Sequence, residues 1–200
     1  MVKNIMIVGV GGQGALLASK TLGQVLLDAG YDVKVSEVHG MSQRGGSVVT
    51  YVRYGDKVYS PIIDKGEADF IVSFEMLEAA RYVDYLKKDG QIVSCAYNQR
   101  EVDNTQQIDP MPVITGAAKY PENLEKTMQA AGIKVDAVDC LSLAEQAGTA
   151  KSVNIVLMGR LSRYMDFAEE AWIKAIEKLV KPQFLEMNKK AFVLGRGETL

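Results

Sequence analysis

The stretch Ile5-Met6-Ile7-Val8-Gly9-Val10-Gly11-Gly12-Gln13-Gly14 decides the fold. An apolar run of strand length enters a Gly-x-Gly-x-x-Gly pattern. Ala15, Ala18, Leu22, Val25, Leu26 and Ala29 then recur at helical spacing. Gly30 stands where a left-handed helix cap is expected. Glycines at a strand-to-helix turn let the backbone approach a ligand or another chain closely. They also aim N–H groups and the positive end of a helix at that visitor. Something anionic or closely packed belongs at this turn.

Outward from the turn, strand and helix patterns alternate. Residues 32–37 read as a second strand that ends in the loop Ser36-Glu37-Val38-His39-Gly40-Met41-Ser42-Gln43-Arg44-Gly45-Gly46. Residues 47–54, rich in β-branched and aromatic side chains, and residues 57–60 flank Gly55-Asp56 and read as a β-hairpin. A strand is expected over 68–74, a helix over 75–87, and a strand over 91–95 after an Asp89-Gly90 turn. Residues 98–112, with Pro110 and Pro112, read as a surface loop. Pro121 is placed to open a helix that Gly132 follows, and 135–138 reads as the last strand. From Ser142 the pattern is helical, broken at Thr149 and Pro182. The expectation is α/β: a single Rossmann-like three-layer domain over 1–200. It would have a mixed, mainly parallel sheet, a β-hairpin and a helical C-terminal third.

A chain of 200 residues that is 48% hydrophobic can bury one sizeable core. A net charge of -2 gives no electrostatic case for nucleic acid or an anionic membrane. The chain shows no signal-like segment and no apolar run near the roughly 20 residues that span a bilayer, so a cytoplasmic location is expected. Cys95 and Cys140 are far apart and match no metal or iron–sulfur spacing.

One reading of the turn is nucleotide binding. Glu37 lies 23 positions past Gly14, near the spacing of a carboxylate that holds a ribose diol, which would make the chain a free-standing NAD- or FAD-type protein. Two features oppose it. Gln13 is a polar residue whose amide suits hydrogen bonding in or beside the turn. The loop after Glu37 would crowd the adenosine side.

The Gly11-Gly12-Gln13-Gly14 turn and the segment from Ser36 through Arg44 to Ser47 together resemble the gamma-type module of the 2-oxoacid:ferredoxin oxidoreductases. Within that family the likeness is to the beta subunit of the indolepyruvate branch. It continues through Tyr59-Ser60-Pro61, Gly66-Glu67-Ala68-Asp69, Phe74-Glu75, Glu78-Ala79 and Arg81-Tyr82. It reappears at Asn154-Ile155-Val156-Leu157-Met158-Gly159, Glu170-Ala171-Trp172 and Asn188-Lys189-Lys190-Ala191-Phe192. The resemblance implies that an arylpyruvate, coenzyme A and oxidised ferredoxin give an arylacetyl-CoA, carbon dioxide and reduced ferredoxin. A gamma subunit for a different 2-oxoacid is the neighbouring alternative.

This chain lacks the parts for that chemistry. It has no Gly-Asp-Gly segment with a downstream Asn pair for magnesium and a diphosphate, and two cysteines cannot supply the four thiolates of a cluster. The resemblance therefore assigns thiamine diphosphate, Mg and the iron–sulfur clusters to a large alpha subunit. Ferredoxin is met through the complex, coenzyme A is the co-substrate, and the isolated chain is free to form a homodimer.

No catalytic residue and no metal ligand is expected in this chain. Gly11, Gly12, Gln13, Gly14, Glu37, His39, Gln43, Arg44, Gly45 and Gly46 are the expected site, lining either a coenzyme A path or a partner contact. His39, the only histidine, has no nucleophile or metal partner in the pattern and reads as a loop or interface residue rather than a proton carrier. Arg44 suits a phosphate of coenzyme A or its own loop carbonyls equally well. Ser42 and Gln43 read as loop-fixing, and Met41 as an interface or core contact. Cys95, Cys140 and Trp172 read as packing residues.

Overall fold

The computed structural model describes residues 1–39, 46–96 and 120–197, with His39 described through its backbone alone. The chain runs β1 (Lys3–Val10), α1 (Ala15–Asp28), β2 (Asp32–His39), β3 (Ser47–Gly55), β4 (Ala68–Ser73), α2 (Met76–Arg81) and β5 (Leu86–Cys95). Next come α3 (Leu124–Ala130), β6 (Lys134–Val138), α4 (Cys140–Ala147), α5 (Val153–Ser162), α6 (Glu169–Leu179) and α7 (Leu185–Arg196).

The strands form one sheet in the order β2-β3-β1-β4-β5-β6. β1, β4, β5 and β6 pair in parallel, while β3 is antiparallel to both β1 and β2. Five strands thus run one way and β3 alone runs the other. β1 is buried along almost its whole length because both faces are covered. Ile5 and Ile7 pack into a core shared with α1 and α4 to α7, and Met6 and Val8 into a second core with α2 and α3. Period-two side-chain alternation along one strand therefore separates three layers.

The C-terminal helices hold together by close backbone approach. A Cβ on Gly159 of α5 would lie 2.1 Å from the Phe192 carbonyl oxygen, and one on Gly195 of α7 would lie 2.0 Å from that of Val156. Only glycine permits this crossing. Trp172, fully buried, stacks on Phe192 with ring centroids 5.8 Å apart. Cys95 and Cys140 are buried and are not joined in a disulfide.

Four expectations about elements are corrected. The hairpin is formed by β2 and β3, and residues 57–60 form no strand. β1 and β2 already occupy both edges of β3, so no ladder is left for them. Val58 N–H donates instead to Asp32 Oδ2 at 2.9 Å, and Arg53 Nη1 binds the carbonyls of Ser60 and Ile62. The helix expected over 75–87 stops at Arg81, passes through a 3-10 turn at Val83–Tyr85, and gives way to β5 at Leu86. Asp89 and Gly90 lie inside β5, where the β4–β5 register shifts, rather than in a turn before it. Pro121 does not begin a helix; α3 starts at Leu124 behind Asn123, whose φ is 58°. The 98–112 loop lies outside the described residues.

Candidate functional site

Gln13 closes the glycine turn. Its Oε1 accepts the Val10 N–H at 2.8 Å, while its own N–H donates to the Val10 carbonyl at 3.2 Å. The Gly11 N–H donates to the Gly46 carbonyl at 2.9 Å, which ties the turn to the far end of the 37–46 segment. Gly14 caps α1 with φ 88°, a left-handed conformation with no side chain to compete. Its carbonyl accepts from Asn154 Nδ2 at 3.3 Å, and a Cβ there would come within 2.7 Å of that nitrogen.

Beside the turn lies a cleft of about 420 Å³, lined by Val10, Gly11, Gly12, Gly14, Ala15, Leu16, Glu37, Val48 and Thr50. No acid occupies the first turn of α1, so its positive end is uncompensated by its own residues. Glu37 supplies the only ionisable side chain of the described lining and makes a long 3.4 Å contact from the Ser19 hydroxyl. Thr50 is 1% exposed and its hydroxyl has no hydrogen-bond partner among the described residues. The structure therefore brings Gly11, Gly12, Gly14 and Glu37 together, with Gln13 and Gly46 bracing the turn from within the chain. The side chain of His39, together with Gln43, Arg44 and Gly45, lies outside the described residues. The cleft differs from a dinucleotide crevice in one respect. β3 stands between β1 and β2, which puts the end of β2 two strand spacings, roughly 9–10 Å, from β1. Val48 and Thr50 of that extra strand line the cleft.

A second cluster, to which the sequence assigned no role, sits at the carboxyl end of β4. Glu75 N-caps α2, accepting the Glu78 N–H at 3.0 Å, and also receives the Tyr120 hydroxyl. The buried Glu78 accepts the Ser47 hydroxyl at 2.5 Å and pairs with Arg81 Nε at 3.0 Å, and the Ser47 oxygen lies 3.2 Å from that of Tyr82. Burial pushes the Glu75 carboxyl up; the Tyr120 and backbone hydrogen bonds offset this only in part. Gly46 is thus held by the glycine turn and Ser47 by the acidic cluster. Residues 74–82 carried a visible motif, but their burial comes from the fold: Ser47 is 31 positions from Glu78, a pairing no local periodicity reveals.

Among the described residues, no group of three or more His, Cys, Asp or Glu is placed to hold a metal ion. Among them, too, no helix is long and apolar enough to cross a membrane. What the arrangement offers is a braced turn, an acidic cleft and a rigid root for the 37–46 segment.

A family model described as pyruvate ferredoxin/flavodoxin oxidoreductase matches residues 4–198. The chain is 44% identical to indolepyruvate oxidoreductase subunit IorB of Thermococcus kodakarensis over 197 residues, 96% of this chain and 93% of that one. Among solved structures it superposes on pyruvate oxidoreductase subunit PORC of Thermotoga maritima with TM-score 0.71 at 22% identity, covering 98% of this chain and 96% of that one. It also superposes on a 2-oxoglutarate:ferredoxin oxidoreductase of Magnetococcus marinus with TM-score 0.70 at 18% identity. That match covers 98% of this chain and 30% of the other, so the same fold there forms part of a longer polypeptide.

Proposed function

Because the chain belongs to the pyruvate ferredoxin/flavodoxin oxidoreductase family, we propose that it is the accessory beta subunit of an indolepyruvate or arylpyruvate:ferredoxin oxidoreductase. It works in the cytoplasm beside a large alpha subunit that carries thiamine diphosphate, Mg and iron–sulfur clusters. The complex converts an arylpyruvate, coenzyme A and oxidised ferredoxin into arylacetyl-CoA, carbon dioxide and reduced ferredoxin. Identity to IorB subunits over nearly the full chain supports the substrate class. The presence of only two cysteines supports placing the clusters on the partner.

The observation that carries the accessory role is the double anchoring of Gly46 and Ser47, by the Gly11 N–H and by Glu78. A glycine turn used as an internal brace sets Glu37 and Gly46 at the carboxyl edge of the sheet, where open α/β folds place their functional loops. The positive end of α1 would suit a phosphate of coenzyme A, and Glu37 would suit a hydroxyl donor of the same molecule. This chain's part is to shape that approach, while bond making takes place on the partner.

Reconstitution tests the proposal. The purified chain alone should show no 2-oxoacid-dependent viologen reduction, and activity should appear when the alpha subunit is added. Turnover by the isolated chain, or full activity of the alpha subunit without it, contradicts the accessory role.

A further inference from the structure

The two edges of the sheet are finished differently. β6 is five residues long and tied to its surroundings: Gln129 of α3 donates to the Val135 carbonyl at 3.4 Å, and Asp136 is held by Arg160 and Tyr164. At the opposite edge β2 is eight residues long, contains no proline and pairs with β3 in unbroken register from Asp32 to His39. Among the described residues, no backbone group of β2 bonds to backbone outside that ladder. A long, regular, uncovered edge is a template for another strand.

The side chains along this edge describe the occupant. Val35 stands opposite Val52 on the face that α1 packs against; Val52 is fully buried, whereas Val35 is 45% exposed at the rim. On α1, Leu16, Gly23 and Leu27 fall within about 40° of one another, on the flank beside β2, and both leucines are about half exposed. Gly23 is interior to the helix, where glycine is unfavourable. A Cβ built on it meets nothing within 4 Å, so the packing of this chain does not require glycine there. From the Ser19–Glu37 contact, Gly23 lies four helical residues on, about 6 Å, and Val35 two strand residues back, about 6.6 Å. Because α1 runs back against the direction of β2, the exposed valine and the free space stand at one level.

We propose that β2 pairs antiparallel with β2 of a second copy of this chain about a two-fold axis at Val35, which joins two six-stranded sheets into one. A two-fold contact needs a self-complementary patch, and this level supplies both a protruding valine and room beside it at Gly23. The axis sets the two Val35 side chains against each other and turns the Leu16–Leu27 flanks of the two α1 helices toward each other. Charge selects the same register. Lys34 is neutralised by Asp32 at 2.5 Å within its own strand. With the axis at Val35 the two Glu37 residues stand four strand positions apart, about 13 Å, beyond the screening length of about 8 Å. An axis at Ser36 would bring them within two positions, and one at Lys34 would stack the lysines. The assignment rests on this edge alone and is independent of the proposed function.

Analytical ultracentrifugation of the isolated full chain is the test. The chain should sediment at twice its 21.9 kDa at micromolar concentration. Val35→Lys should raise the dimer dissociation constant at least tenfold with unchanged circular dichroism. Phe184→Lys, at an exposed apolar residue away from the edge, should leave it unchanged. Val35→Cys should crosslink to its own copy on mild oxidation, because directly opposed Cβ atoms lie about 4.5–5.5 Å apart. Val33→Cys, four positions from its copy, should not; Cys95 and Cys140 are buried in both variants. A monomer, the result if this edge serves a strand of another protein, overturns the assignment. So does a dimer untouched by Val35→Lys, or one that crosslinks through Val33→Cys and not through Val35→Cys.

Discussion

The two cavities flanking the first turn of α1 are close in size and opposite in character. One is lined by Leu16 and Glu37 and no described cation; the other is lined by Leu17, Lys151 and Lys181 and no described acid. Each borders one buried hydroxyl without a partner among the described residues, Thr50 beside the first and Ser152 beside the second. Neighbouring helical positions point about 100° apart, so one turn of one helix serves both. The two differ in the sign of their described linings more than in volume. The acidic cleft lies under a recognisable glycine motif, yet part of that motif's hydrogen-bonding capacity is spent on the chain itself. The basic cavity lies under no motif at all.

Gly14, which lines the acidic cleft, touches Asn154 of α5, and disturbing that contact has the largest expected effect. Gly14→Ala places a Cβ 2.7 Å from Asn154 Nδ2 at φ 88°. Left-handed strain of ~1–2 kcal/mol and overpacking of ~1–3 kcal/mol together predict a loss of about 2–5 kcal/mol. Urea unfolding measures it, and a loss below about 1 kcal/mol would show that the contact yields. Gln13→Ala is the milder change. It leaves the Val10 N–H without its acceptor, for about 1–2 kcal/mol, and loosens the turn on the acidic side only. Gln13→Glu keeps an acceptor at the same reach and should recover most of that stability. Equal losses in the two variants would mean that the acceptor at this position is not what matters.

The parts of this molecule legible in its sequence are those with a local signature. β1, the turn and α1 follow from an apolar run, glycines and helical spacing, and the structure keeps all three. Gln13 was read as a hydrogen-bonding residue of the turn from its polarity, and it is one. The position of β3 was not legible. Its composition marks a strand, but nothing in residues 47–60 says that it inserts between β1 and β2 and leaves residues 57–60 unpaired. The Ser47–Glu78 bond and the Ser152 cavity were hidden for the same reason: each joins segments far apart in the chain. In the cavity's case the residues are also common types with no spacing rule. Glu37 was picked out for a nucleotide-like spacing. It does line the cleft with Gly11, Gly12 and Gly14, though across an intervening strand.

The intervening strand and the occupied Gly11 N–H imply that the turn braces the chain and does not hold a dinucleotide. Titration of NADH and of FAD into the isolated chain, followed by calorimetry, tests it most directly. No saturable binding of either is expected up to millimolar concentration. Saturation near 1 µM, about −8 kcal/mol of binding free energy, would contradict it and return the chain to the nucleotide-binding class.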